Sequence, residues 1–193
     1  MRGGGPRGFM LAIVCACAVA VPRPARAAST LIEAHPPAPG FRIESLTHDR
    51  LDLAELLRHG PVLLDFWATW CKPCTASLPG LESLHRRYGA RGLTVIGVSI
   101  DGPRNFSKLR PFVTRLALTF PIALDEDGSL QQRYQVRAAP TTFLIDRDGH
   151  VALMRVGYTN GDDEAFERAV LALLPALTDS SNAAAAPGAS PSK

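Results

Sequence analysis

The 193-residue sequence has no apolar run long enough to cross a membrane, no internal repeat and only a small formal net charge of +3. Its longest apolar run, Phe9–Val21, has 13 residues, whereas a membrane-spanning helix needs about 20. Hydrophobic residues make up 46% of the chain and charged residues 20%. This balance excludes a multi-span membrane protein and a largely disordered chain. The length fits one ordinary domain with short appendages.

The first 27 residues are predicted to be a secretory signal peptide and not part of the fold. Arg2 and Arg7 form a basic start, the apolar run follows, and Ala25-Arg26-Ala27 places small residues at a cleavage site, which is the layout of such signals. Two alternatives stay open. The signal is retained as an anchor, or the chain is lipidated at Val14-Cys15-Ala16-Cys17, which weakly resembles a bacterial lipobox. The favoured prediction is an exported, periplasmic protein.

Removal of this segment changes both the charge and the cysteine count. It takes four arginines from 21 basic residues and no acidic residue, which leaves 17 basic against 18 acidic residues and a net charge of −1. Cys15 and Cys17 leave with the signal, and Cys71 and Cys74 remain. Lysine and arginine do not cluster with aromatic residues along the mature sequence, so we expect no nucleic-acid partner.

The mature chain is predicted to be one domain at 41–177 between a linker at 28–40 and a disordered tail at 178–193, because both flanks are of low complexity and rich in Ala, Pro or Ser. The apolar pattern predicts the order βαβαβαββα, a mixed sheet covered by helices. The predicted strands are Phe41–Leu46, Val62–Trp67, Leu93–Ile100, Thr142–Asp146 and Val151–Val156, and the predicted helices are Leu51–Leu57, Cys71–Tyr88, Phe106–Leu116 and one that opens at Asp162. A short strand at Pro121–Leu124 and a short helix at Leu130–Tyr134 are optional additions.

The chemistry is predicted at Trp70-Cys71-Lys72-Pro73-Cys74, which directly follows a buried strand and opens a helix. Unpaired N–H groups at a helix N-terminus favour a thiolate at Cys71. Cys74 lies one turn deeper and is expected to be less exposed. The two residues therefore divide the work: Cys71 attacks a partner disulfide, and Cys74 resolves the mixed disulfide. A structural disulfide and half of a zinc site are the alternatives, but a zinc site needs further ligands and the histidines are scattered.

The stretch from Leu64 to Cys74, together with Ala139-Pro140-Thr141, resembles the thioredoxin superfamily. Phe66-Trp67-Ala68-Thr69-Trp70-Cys71 and the extra segment before Pro140 are similar to the exported TlpA/ResA/DsbE-like thiol-disulfide oxidoreductases. The likeness covers roughly 41–175. It implies an α/β, thioredoxin-like fold with a mixed central sheet flanked by helices and an extra segment between the CxxC helix and a cis-proline.

The resemblance also implies roles for residues around the cysteines. Pro140 matches the cis-proline that faces the active-site disulfide, and the backbone of Ala139 would pair with an extended substrate segment. Pro140 as an ordinary proline at the start of a strand is the alternative. Lys72 and Pro73 occupy the dipeptide that influences the redox balance, where a cation would favour the thiolate of Cys71. An exposed lysine that is only solvated is the alternative for Lys72. Trp70 is expected at the apolar rim of the site.

Asp65 interrupts an otherwise apolar strand six residues before Cys71. Burial raises the pKa of a carboxyl group, so Asp65 is a candidate proton acceptor for Cys74 during resolution. The alternative is a carboxylate at the end of the strand that binds backbone or water.

The favoured function is a thiol-disulfide reductase that cycles between the dithiol and disulfide of Cys71 and Cys74. No cofactor and no metal are expected. The resemblance implies disulfide-containing exported proteins as partners, including apocytochrome c or copper-site proteins, and a membrane electron donor that restores the dithiol. A disulfide oxidase or isomerase is the alternative within redox chemistry, and a copper-binding assembly factor is the alternative from another class. A thiol peroxidase is disfavoured because the sequence lacks a PxxxTxxC arrangement.

Overall fold

The computed structural model describes residues 29–30, 35–102 and 105–175. Outside the described residues lie the predicted signal peptide, residues 28 and 31–34 of the predicted linker, and the predicted tail. The strands are β1 (Ser29–Thr30), β2 (Arg42–Glu44), β3 (Arg50–Asp52), β4 (Val62–Trp67), β5 (Thr94–Ser99), β6 (Ile122–Leu124), β7 (Thr141–Ile145) and β8 (Val151–Val156). The helices are α1 (Leu53–Leu57), α2 (Lys72–Tyr88), α3 (Phe106–Arg115), α4 (Ser129–Arg133) and α5 (Asp162–Leu173), and a short 3₁₀ turn at Gly89–Arg91 follows α2.

Six strands form a mixed sheet in the order β1-β8-β7-β4-β5-β6, and β2 pairs with β3 in a separate hairpin. β5 runs parallel to β4 and β6, whereas β7 runs antiparallel to β4 and β8. Apolar residues of α2, α3 and α5 pack on one face of the sheet, and those of α1 and α4 pack on the other. The predicted thioredoxin-like α/β class with a mixed sheet flanked by helices is confirmed.

The central strand β4 is buried along its whole length because helices cover both faces of the sheet. Side chains alternate between the faces of a strand. Leu63 and Trp67 accordingly belong to the core under α2, while Leu64 and Phe66 belong to the opposite core. Asp65 shares its face with Leu63 and Trp67, so the strand directs its single carboxyl group toward the cysteine-bearing helix.

The helix predicted at Leu51–Leu57 begins later, at Leu53, because its first two residues are a strand. Leu51 and Asp52 pair with β2, and the Asp52 carboxylate accepts a hydrogen bond from the backbone N–H of Ala54 at 3.0 Å. A carboxylate that binds the first N–H groups ends the strand and starts the helix at the same residue. The strand predicted at Phe41–Leu46 is correspondingly shorter, Arg42–Glu44.

The segment between α2 and Pro140 contains both of the optional short elements. β6 extends the sheet beside β5, and α4 packs Leu130 into the core on the far face. The carboxylate of Asp125 starts α4 by accepting hydrogen bonds from the backbone N–H groups of Leu130 and Gln131. The extra segment thus supplies α3 beside the cysteines and β6 at the edge of the sheet.

The described end of the predicted linker packs against the turn between β7 and β8. Ala38 donates its backbone N–H to the carbonyl of Gly149 at 2.8 Å, and Val151 donates its N–H to the carbonyl of Pro36 at 2.9 Å. This part of the linker therefore runs along the domain surface.

Candidate active site

The first turn of α2 holds Cys71 and Cys74 together. Cys71 is extended (φ −86°, ψ 105°) and is the N-terminal cap of the helix, and Pro73 lies in the first turn, where no backbone N–H is needed. The backbone N–H of Cys74 points to Cys71 Sγ at 3.2 Å, and the two sulfurs form a disulfide. Cys71 keeps 5% of its surface exposed, while Cys74 is fully buried. Of the two cysteines, only Cys71 is reachable from solvent.

The residues beside Cys71 in the CxxC segment are exposed. Lys72 and Pro73 both face solvent, and Trp70 keeps 64% of its surface exposed although it is a large aromatic residue. These three residues form the outer rim of the site.

Pro140 comes to the site through the register of β7 on β4. Thr141 pairs with Phe66, which places the preceding Pro140 beside Trp67 at the end of β4 that leads to the cysteines. The Ala139–Pro140 peptide bond is cis, as the resemblance implied. The Thr141 hydroxyl donates a hydrogen bond to the carbonyl of Ala138 at 2.7 Å, which fixes the turn before β7. Ala139 packs against the core that contains the cysteines.

Asp65 lies inside the sheet with no exposed surface. Its Oδ1 accepts a hydrogen bond from the Thr142 hydroxyl at 2.6 Å, and its Oδ2 has no hydrogen-bond partner among the described residues. Burial raises the pKa of the Asp65 carboxyl to about 7, and the bond from Thr142 opposes this rise. Because that pKa is close to neutral, Asp65 can both accept and release a proton at physiological pH.

The loop before Cys71 is anchored by Asp101, a residue that the sequence pattern did not single out. Thr69 donates its backbone N–H to one carboxylate oxygen of Asp101 at 2.9 Å and its hydroxyl to the other at 2.7 Å. Ser99 donates its hydroxyl to the same carboxylate at 3.2 Å. One sequence feature could have identified Asp101: it is a carboxylate directly after the predicted strand Leu93–Ile100. That strand runs parallel to β4, which leads to Cys71. Asp101 thereby ties the end of β5 to the loop that carries Trp70 and Cys71.

Trp67 forms the floor of the site beneath the cysteines. It is fully buried and stacks on Phe112 of α3, with 5.3 Å between the ring centroids and 28° between the ring planes. A Cβ atom at Gly97 would lie only 2.7 Å from Trp67 Nε1. The indole therefore fits because β5 carries a glycine beside it.

The structure brings the predicted site residues to one end of β4. The exposed part consists of Trp70, Lys72 and Pro73, Ala139 is half-buried, and the buried part consists of Asp65, Cys71, Cys74 and Pro140. Within 35–102 and 105–175, His, Cys, Asp and Glu residues form no group of three or more that could bind a metal ion. In the same part of the chain, no helix combines the length and the apolar character that a membrane span requires.

Three comparisons with known proteins show what this chain is similar to. A protein-family model described as the AhpC/TSA family matches residues 35–154. The thiol-disulfide oxidoreductase ResA of Bacillus thuringiensis (strain Al Hakam) is 35% identical over 120 residues, which are 62% of this chain and 68% of that protein.

Two solved structures share the fold. One is assigned as the thiol:disulfide interchange protein DsbE of Chlorobium tepidum and is 34% identical, with a TM-score of 0.68 over 75% of this chain and 99% of that chain. The other is a secreted disulfide oxidoreductase of Mycobacterium tuberculosis homologous to E. coli DsbE. It is 25% identical, with a TM-score of 0.59 over 69% of this chain and 96% of that chain.

Proposed function

The chain belongs to the AhpC/TSA family of the thioredoxin superfamily, and from this premise we propose that it is an exported reductase of protein disulfides. That it is a thiol-disulfide oxidoreductase follows from its relatives and from its CxxC pair. The direction of electron flow, the export and the role of each residue are the proposal. The signal-like N-terminus supports export, as does the relative described as secreted.

The unequal exposure of the two cysteines is the observation that supports thiol-disulfide exchange with Cys71 as the nucleophile. In the reduced protein, the thiolate of Cys71 attacks one sulfur of a substrate disulfide, and the other substrate sulfur leaves as a thiolate that takes up a proton. The buried thiol of Cys74 then loses its proton and attacks Cys71 Sγ in the mixed disulfide. The second substrate sulfur leaves and is protonated. Two electrons and two protons pass to the substrate, and the Cys71–Cys74 disulfide forms.

Asp65 is proposed as the proton acceptor for Cys74. The carboxyl group lies on the sheet face that packs against α2, and its Oδ2 has no partner among the described residues. A carboxyl with a pKa of about 7 takes a proton from a thiol more readily than one with an ordinary pKa. It also releases that proton at neutral pH when the cycle ends.

Trapping of partners tests the proposal directly. A Cys74→Ala variant expressed with its N-terminal segment intact is expected to accumulate mixed disulfides through Cys71, because resolution is blocked. The matched control is the double variant Cys71→Ala/Cys74→Ala, which should trap nothing. Apocytochrome c and copper-site proteins are the proposed partners, and identification of the trapped proteins checks them. Equal trapping by the double variant would show that Cys71 is not the nucleophile.

The reduction potential separates a reductase from a disulfide oxidase. A reductase is expected to have a potential near or below about −230 mV, whereas a strong oxidant lies near about −120 mV. Equilibration of the purified protein with thiol buffers of known potential gives the value. A result at the oxidising end would reverse the proposed direction and leave the roles of Cys71 and Cys74 in place. A reductase in an oxidising compartment also needs a source of electrons, and a membrane electron donor is proposed for this step.

A further inference from the structure

A groove of about 580 Å³ lies directly beside the exposed Trp70. Thr69 and Trp70 form one wall, and α3 of the extra segment forms the other, through Lys108, Phe112 and Arg115 among its lining residues. Trp70 therefore borders this groove and also precedes Cys71 directly in the chain. The mechanism above uses none of the residues of α3.

Two cations face the groove because of their spacing on α3. Lys108, Phe112 and Arg115 follow one another at intervals of four and three residues, which places them on one side of a helix. The Arg115 guanidinium lies over the Phe112 ring, 4.9 Å from its centroid, and Lys108 Nζ donates a hydrogen bond to Asn105 Oδ1 at 3.0 Å. No carboxylate is among the described residues that line the groove.

The positive charge of this surface is local. Between Asp101 and Asp125 the sequence contains four basic residues and no acidic residue, although the mature chain is predicted to carry a net charge of −1. The basic residues are spread along the sequence, so no basic run marks them, and only the helix places Lys108 and Arg115 along the same groove. A cationic patch on a nearly neutral protein attracts anionic partners at that patch.

The strand order places the groove where a substrate chain would continue past the disulfide. β4 carries the cysteine loop, β7 lies on one side with Pro140 at its start, and β5 lies on the other side with α3 after it. Asp101, at the end of β5, anchors the cysteine loop. A chain that crosses Cys71 from the Pro140 side therefore runs toward Trp70 and the groove.

We propose that this groove binds an acidic, extended segment of the substrate protein, next to the cysteine that Cys71 attacks. Trp70 packs on an apolar residue of that segment, and Lys108 and Arg115 pair with its carboxylates. The inference rests on the proposed reductase function and names its substrate class: disulfide proteins with Asp or Glu residues close to the reactive cysteine.

Single-turnover reduction of synthetic peptides tests this substrate class. Two peptides carry the same disulfide, one flanked by Asp and Glu and the other by Asn and Gln at the same positions. Prereduced protein is mixed with each peptide, and the peptide thiols are alkylated and quantified over time. The natural protein is expected to reduce the acidic peptide about tenfold faster at low salt. The difference should shrink as salt increases because exposed ion pairs are screened.

The double variant Lys108→Gln/Arg115→Gln is expected to lose most of this preference and to keep its rate on the neutral peptide within about twofold. The matched control is Arg110→Gln, which removes a positive charge from the same helix outside the groove, where Arg110 binds the carbonyl of Leu46. It should keep the preference. A thermal unfolding scan of each variant shows that the fold is retained.

The outcomes separate this inference from the function on which it rests. If neither peptide is reduced by any form of the protein, the reductase function itself fails. If both peptides are reduced equally by the natural protein, or if Arg110→Gln removes the preference as fully as the double variant, the groove is not the acidic site. If single-stranded DNA competes with the acidic peptide but a second acidic peptide does not, the groove is a nucleic-acid site and the proposal is overturned.

Discussion

The Thr142 hydroxyl donates a 2.6 Å hydrogen bond to Asp65 Oδ1 between two paired strands in the interior of the protein. This bond satisfies one oxygen of a fully buried carboxyl group, while the other oxygen has no partner among the described residues. A purely structural carboxylate would be expected to have its hydrogen bonds completed, because an unpaired buried oxygen costs stability. The arrangement suits a group that must take up and release a proton, and the first three predictions follow from it.

The Asp65→Asn variant is expected to slow the attack of Cys74 on the mixed disulfide about 100-fold, because general bases typically contribute this much or more. The first attack by Cys71 should stay within about twofold. Stopped-flow mixing of the reduced protein with a disulfide substrate resolves the two steps. In the natural protein the second step should accelerate as the pH rises toward about 7, the pKa of Asp65, and then level off. In the variant the levelling near pH 7 should be absent, because the rate then follows the ionisation of the Cys74 thiol itself. Equal slowing of both steps would contradict the proton-acceptor role.

Asp65 should also make the protein less stable at neutral than at acidic pH. The pKa of its carboxyl is about 7 in the folded protein against an ordinary value of 3.8. The folded chain therefore binds more protons than the unfolded chain between these pH values, and stability falls as the pH rises through this window. Asp65→Asn should raise the free energy of unfolding at pH 8 by a few kcal/mol, at about 1.4 kcal/mol for each unit of pKa.

Denaturant unfolding of the oxidised proteins at pH 4 and pH 8 measures this difference. At pH 4 the two proteins should be nearly equally stable, because a protonated carboxyl and an amide are both neutral. A variant that is less stable than the natural protein at pH 8 would show that the carboxylate is well satisfied in the folded state.

Thr142→Val should shift the pH dependence of resolution upward. The hydroxyl bond lowers the pKa of Asp65, so its loss should raise that pKa by about one unit, the equivalent of a hydrogen bond to a charged group. Valine keeps the shape and the strand preference of threonine. The matched control is Thr141→Val at the next position, whose hydroxyl binds the carbonyl of Ala138. The midpoint of the pH profile should move in the first variant and stay in the second.

Gly97→Ala should lower the free energy of unfolding because the new methyl group displaces Trp67. It leaves Cys71 and Cys74 themselves unchanged. The new methyl group would lie 2.7 Å from Trp67 Nε1 and 3.0 Å from the Phe120 ring. Overpacking of a core typically costs about 1–3 kcal/mol, and displacement of Trp67 would also disturb its stacking on Phe112. Denaturant unfolding followed by tryptophan fluorescence should show the loss of stability and a changed native emission. Gly102→Ala is the control, because a Cβ atom there meets nothing within 4 Å.

The sequence patterns predicted the strand and the helix that hold the cysteines. They did not predict the hydrogen bonds that fix the loop before Cys71 and lower the pKa of Asp65. β4, β5 and β7 were predictable because buried strands are continuous apolar runs between turn signals. The cysteine helix was predictable because its motif is local. The bond between Thr142 and Asp65 spans 77 positions, and the bonds between Asp101 and Thr69 span 32. Periodicity over a few residues carries no information on such pairs, which depend on the strand order and register.

The strand at 50–52 escaped prediction for a different reason. Leu51–Leu57 has the apolar spacing of a helix, and only pairing with β2 makes its first residues extended. Tertiary contacts here decide between two conformations that the local sequence allows. The groove beside Trp70 could not be predicted for a comparable reason, because Lys108 and Arg115 come to line one groove only when α3 folds.

The pairing of β1 with β8 gives Ser29 and Thr30 a part in protecting the sheet from aggregation. Ser29 and Thr30 lie opposite Arg155 and Met154 and cover part of the outer edge of β8. An uncovered edge strand can pair with strands of other chains. β1 and β8 are far apart in sequence, so this edge is covered only after the two ends of the domain come into contact. Contacts between residues that are distant in sequence form slowly during folding. A shortened protein that begins at residue 35 would keep both cysteines and leave the β8 edge open to intermolecular pairing.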